Sequence, residues 1–181
     1  MELPAHYRAF YAFFIRFALV MLVVGGITGV AFQELTGAVT FRELAPGAHL
    51  EAFYRLALVH GHSFLVGAIM PIVWITILHL TLKLGGRPVS AKALRWIIVT
   101  YVPGTVSTIG LLLYKGLHYA TEVRRGERDF DLIHRSIFGG SRMVRGIVYA
   151  SAHSIASAAL VIFAVVVWKS LRSIDGDRAR E

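Results

Sequence analysis

Four apolar stretches, 13–32, 56–82, 96–117 and 147–168, limit what this 181-residue chain can fold into. At about 1.5 Å of rise per residue, a helix of roughly 20 residues crosses the hydrocarbon core of a bilayer, and each stretch meets that length. The expected fold class is all-α, an integral membrane four-helix bundle. It forms one domain, with helices over about 9–33, 52–84, 91–120 and 142–172. A hydrophobic content of 56% and a mean hydropathy of +0.62 agree, because one soluble domain of this size could not bury so much apolar surface. The first stretch carries Arg16 and ends in Val30-Ala31-Phe32-Gln33-Glu34 without a small-x-small cleavage pattern, so it reads as a retained span rather than a secretory signal.

Cysteine is absent, which excludes structural disulfides, thiolate metal sites and thioether-attached haem. Any metal must rest on imidazole, carboxylate or thioether. The net charge of +8 comes from Lys and Arg at the ends of the apolar stretches, where they anchor helices to anionic headgroups; the expected partner is the lipid bilayer and not nucleic acid. Ten of the nineteen Lys and Arg residues fall on the side shared by the two termini, which tips the termini towards the cytoplasm. Pro46-Gly47 and Gly85-Gly86-Arg87-Pro88 read as turns. The connection 121–141 is charged and glycine-punctuated, so it is expected on the surface and mobile.

Threading four spans back and forth gathers His60, His62, His118 and His153 in the leaflet opposite the termini. Imidazoles inside a membrane are costly and usually face a bundle interior, which makes them site candidates. His79 lies about 28 Å further along its helix than His60, and His6, His49 and His134 fall in terminal or loop segments. His60 and His62 sit two residues apart, hence about 200° apart on a helix, and cannot enter one pocket. The His60 face continues through Phe64, Gly67, Pro71 and Trp74, where Gly67 would let a flat macrocycle approach the backbone. His62 shares its face with Leu65, Val66 and Ile69, a lipid or packing surface. His153 lies among Gly146, Tyr149, Ala150, Ala156 and Ser157, small residues that also favour close helix packing. His118, beside Lys115 and Tyr119 at a span end, fits snorkelling to the interface and is, with His62, a second-tier candidate.

Two neutral imidazoles from different helices at matching depth suit the axial positions of a haem iron, and haem b is the expected cofactor. His60 and His153 are the expected ligands, the ring lying between spans two and four with Gly67 and Tyr149 beside it. The propionates would reach Arg145 first, or Arg42, Arg55, Arg124, Arg125 or Arg142.

His60-Gly61 followed by Met70-Pro71 resembles the second transmembrane helix of the heme-copper oxidase and nitric oxide reductase catalytic subunits, where a His-Gly pair precedes a Met-Pro pair at this interval. Val148-Tyr149-Ala150-Ser151-Ala152-His153-Ser154 is similar to the helix that supplies the opposite axial ligand, with the family's His-x-His reduced to His153. The likeness covers about a third of the chain. It implies that His60 and His153 are low-spin haem ligands, and it leaves out the oxidase active centre, whose paired histidines and tyrosine have no counterpart here. The oxidase subunit is built as three arcs of four helices, which implies a homo-oligomer of three copies, and Gly25 and Gly29 offer a small-xxx-small contact for it. The run Leu58-Val59-His60-Gly61-His62 also resembles short uncharacterised four-span bacterial membrane proteins, which implies a bacterial inner membrane.

Span three holds Pro103-Gly104-Thr105, then Ser107, Thr108 and Gly110, a pattern expected to kink it. A broken helix can line an ion path, yet the spans contain no Asp or Glu for cation coupling. Serine hydrolysis lacks both an orienting acid and a Gly-x-Ser-x-Gly elbow. The leading expectation is a b-type cytochrome that transfers electrons, with a redox protein or quinol as partner, or binds or senses O2 or NO; it is more an electron carrier or binder than a complete oxidase or reductase. The alternative is a non-haem assembly or scaffold protein, or a copper or zinc binder using His60, His62 and His118.

Overall fold

The computed structural model describes residues 2–37 and 48–178, with side chains over 2–34 and 53–172. Arg42, Pro46 and Gly47 lie outside the described residues, as does the side chain of His49. Among the described residues every element is helical: α1 (Ala5–Gly37), α2 (Ala48–His62), a π-helical segment (Ser63–Ile69), α3 (Met70–Lys83), α4 (Ala91–Arg124), α5 (Phe130–Ser136), a 3-10 turn (Ile137–Gly140) and α6 (Arg142–Arg178). Four helices are long and apolar enough to cross a membrane: Ala5–Glu34, Phe53–Lys83, Ala91–Arg124 and Arg142–Arg172.

The second of these is three elements run together. Its halves have different neighbours: α2 packs on α1 and α4, whereas α3 packs on α1 and reaches α6. The largest contact in the fold joins α4 to α6, and it is closest at Gly104, where an added Cβ would stand 2.5 Å from the backbone nitrogen of Ala156. α4 runs as one helix through Pro103, so span three is not broken there.

At the end that carries the termini, Phe10, Phe14, Trp74, Tyr101 and Phe163 form an aromatic core, with Trp74 stacked on Phe163 at 4.6 Å and 10°. The turn after α3, which Gly85 closes at φ +91°, is tied to α1 and α6. The Val89 N–H donates to the Tyr7 hydroxyl at 2.8 Å, His6 Nε2 donates to the Val89 carbonyl at 3.0 Å, and Ser170 Oγ donates to the Arg87 carbonyl.

The connection between α4 and α6 differs from its expected form. It does lie on the surface, but as a folded cap rather than a loop. Asp129 accepts from the Asp131 and Leu132 N–H groups and starts α5, which buries Ile133 against Phe53, Leu56, Tyr119 and Val123. Ile137 is buried in the same cluster. Phe138, Gly139 and Gly140 then adopt positive φ in succession, and Phe138 holds this conformation stacked on Tyr114 at 5.0 Å.

Candidate functional site

The π segment is what positions the histidines of span two, and its cause is legible in the chain. A proline lacks an N–H, and its ring clashes with the carbonyl four residues earlier. For Pro71 that carbonyl belongs to Gly67. The widened register relieves the clash: the Met70 N–H reaches back five residues to the Leu65 carbonyl. In this register Val66 O is the carbonyl that residue 71 would have satisfied, and Pro71 cannot do so. The Tyr101 hydroxyl of α4 donates to Val66 O instead. The turn that follows His62 is thereby fixed from a neighbouring helix.

His60 points into the contact between α2 and α1. Its Nδ1 lies 2.8 Å from the Gly25 carbonyl, its ring meets Phe64 edge-on at 4.7 Å, and an added Cβ at Gly29 would stand 2.6 Å from Nδ1. Gly25 and Gly29, expected to face another copy of the chain, are therefore occupied within the chain by Phe64 and His60. Gly67, expected to admit a macrocycle, is buried against Met21, whose side-chain atoms would stand 2.8 Å from a Cβ there. The face through His60, Phe64, Gly67, Pro71 and Trp74 does turn inward; α1 and the aromatic core fill it at Gly67, Pro71 and Trp74, whereas His60 is half-buried.

His62 is half-buried, and its Nδ1 lies 2.8 Å from the Leu58 carbonyl of its own helix. His153 repeats that geometry on α6, with Nδ1 2.8 Å from the Tyr149 carbonyl, but its side chain is exposed. A carbonyl oxygen only accepts, so in all three rings Nδ1 carries the proton and neutral imidazole keeps its lone pair on Nε2. That is the tautomer a metal ligand needs, held by a backbone partner.

His118 is the opposite case. Its Nε2 is 2.8 Å from Ser136 Oγ, whose own proton goes to the Ile133 carbonyl, so Nε2 donates and the ring ties α4 to α5. His79 is half-buried in α3, far from the others along the span. His134 lies in α5, its pKa held below the usual histidine value by burial first and then by Lys115, Arg145 and Arg55, against the opposing pull of Asp131.

Within one chain His60 and His153 do not converge. His60 abuts α1, His153 faces outward on α6, and the half of span two that carries His60 touches α1 and α4. A ring gripped between spans two and four of a single copy does not fit this packing. Nor, among the described residues, does any group of three or more His, Asp or Glu side chains form a metal site, so His60, His62 and His118 do not assemble a copper or zinc centre.

The arginines separate too. Arg145 Nη1 donates to the His134 carbonyl at 2.9 Å and holds the cap, and Arg125 pairs with Glu122 at 2.9 Å. Arg55 is buried and stacked on Tyr119 at 3.8 Å, whereas Arg124 and Arg142 are exposed. The Tyr149 hydroxyl is buried and has no hydrogen-bond partner among the described residues. Sequence reasoning missed the π segment before Pro71, because a proline alone does not signal one: Pro103 sits in a long helix without it. It also missed the hydroxyl of Tyr101, for which no local signal exists.

No protein-family model, curated protein or solved structure matches this chain.

Proposed function

We propose that this protein is a bacterial inner-membrane b-type haem protein, its termini cytoplasmic, that carries electrons or binds a small gas. Its iron is held between copies by His153 of one and His60 of the next. The observation that carries the proposal is the exposed His153 ring: a polar side chain on the outward surface of a span-length helix, its Nδ1 proton committed to the Tyr149 carbonyl and its Nε2 lone pair left for a partner. His60 has the same tautomer, set by the Gly25 carbonyl, and is half-buried at the α1–α2 contact. The interval from His60-Gly61 to Met70-Pro71 adds the likeness to the haem-binding helix of heme-copper oxidases.

The two rings occupy different faces, so joining them sets α6 of one copy against α1 and α2 of another. Such a head-to-tail contact closes into a ring when its rotation divides the full turn, and three copies would match the three arcs of the oxidase subunit. The donor set fits haem b, which supplies one-electron redox chemistry when bound. The neutral imidazoles of His60 and His153 would hold it, and Arg142, exposed near the start of α6, would be available for a propionate.

The absorbance spectrum tests this reading. Protein expressed with ample haem should show a Soret band and sharp alpha and beta bands on reduction. His60→Ala and His153→Ala should each abolish or convert the low-spin spectrum, while His79→Ala and His134→Ala leave it intact. Absence of any Soret band, or unchanged haem content in both of the first pair, refutes the reading. Loss of haem in His62→Ala instead of His60→Ala would move the ligand to the other face of α2.

A further inference from the structure

The end of the molecule opposite the termini gathers cations from three helices around one buried hydroxyl. Arg55 of α2 is only 7% exposed, its guanidinium carbon lying over the Tyr119 ring at 3.8 Å from the centre and over the Tyr54 ring at 4.9 Å. Lys115 of α4 places its ammonium 5.8 Å from the ring centre of Tyr149 on α6. Arg145 stands one helical turn before Tyr149 on α6 and reaches the His134 carbonyl at 2.9 Å, and Lys115, Arg145 and Arg55 all act on His134, with Asp131 the opposing acid. The Tyr149 hydroxyl, shut from solvent, meets no acceptor among the described residues. Buried phenol hydroxyls are hydrogen-bonded as a rule, so this one calls for an acceptor.

We propose that Arg55, Lys115, Arg145 and the Tyr149 hydroxyl form a binding pocket for a phosphate group. A phosphate offers several acceptor oxygens and negative charge together, which suits a phenol proton, an ammonium and guanidinium groups supplied by α2, α4 and α6 at one end of the molecule. Arg55 stands at the start of one span-length helix and Lys115 towards the end of another, a depth that matches a lipid headgroup as well as a free ion entering from solvent. The pocket is independent of haem ligation. Its residues lie on α2, α4 and α6 of one copy, whereas His153 faces out.

The full chain in detergent, titrated calorimetrically with dihexanoyl phosphatidylglycerol, dihexanoylglycerol and inorganic phosphate, tests the assignment. The phosphate-bearing lipid should bind and dihexanoylglycerol should not. Competition by inorganic phosphate identifies the phosphate alone as sufficient; binding without competition identifies the headgroup within its lipid. Lys115→Gln and Tyr149→Phe should each weaken binding by roughly tenfold or more, as expected for a lost hydrogen bond to a charged group. Lys115→Arg should restore most of it, which a merely structural lysine would not explain. No binding by either phosphate probe, or equal binding by wild type and both variants, overturns the proposal.

Discussion

The two ends of this bundle are built differently. At the termini end, side chains from every span meet in a dense aromatic core, and the polar groups His6, Tyr7 and Ser170 serve to tie down a turn. At the far end, Arg55, Lys115, Arg145 and five histidines, His60, His62, His118, His134 and His153, are spread over the spans and the α5 cap, and the Tyr149 hydroxyl is left over. Packing alone explains the first end. It does not explain the second, where polar groups were placed despite their cost in an apolar setting.

The contrast predicts where substitutions hurt. Trp74→Ala should have the largest effect, roughly 3 kcal/mol by denaturant titration in detergent, because the cavity beside Phe14, Tyr101 and Phe163 cannot be refilled. A loss under about 0.5 kcal/mol would show that the aromatic core is looser than its geometry. Tyr101→Phe should cost about 1–3 kcal/mol by leaving the Val66 carbonyl without its donor. It should also speed amide exchange across Ser63–Ile69; exchange unchanged there would mean that the π register stands without Tyr101.

The cap should respond to acid. The folded pKa of His134 lies below its ordinary value near 6.5, so as pH falls below 6.5 the undocked form takes up the proton first and docking of α5 weakens. Above 6.5 both forms are neutral and nothing changes. The opening equilibrium of α5, read from amide exchange after division by the base-catalysed intrinsic rate, should therefore rise as pH falls from 7.5 to 5.5, and His134→Gln should remove that rise. The smallest effect on stability belongs to His153→Ala, within about 0.5 kcal/mol, since the exposed ring packs little. A large loss would make His153 structural after all.

The spans were legible in the sequence because four apolar runs of bilayer length admit few other forms, and the inward turn of His60 followed from its helical spacing to Trp74. Partner choice was not legible. Helical periodicity says that His60 and His62 face apart, but not that α1 covers His60 while α6 turns His153 outward; that depends on the halves of span two meeting different helices. Pro103 and Pro71 show the same limit. Both are prolines in long helices, yet α4 runs through Pro103, whereas span two widens into a π segment before Pro71, where Tyr101 supplies the missing donor. The charge of 121–141 hid Ile133 and Ile137, whose burial makes that connection a cap.

Co-expression of His60→Ala and His153→Ala chains tests the central claim most directly. If iron is held between copies, each mutant alone lacks the low-spin spectrum, but a mixed assembly contains interfaces where His153 of the first variant meets His60 of the second, so part of the signal should return. A mixture as silent as its two components, under conditions where wild-type protein takes up haem, would contradict it.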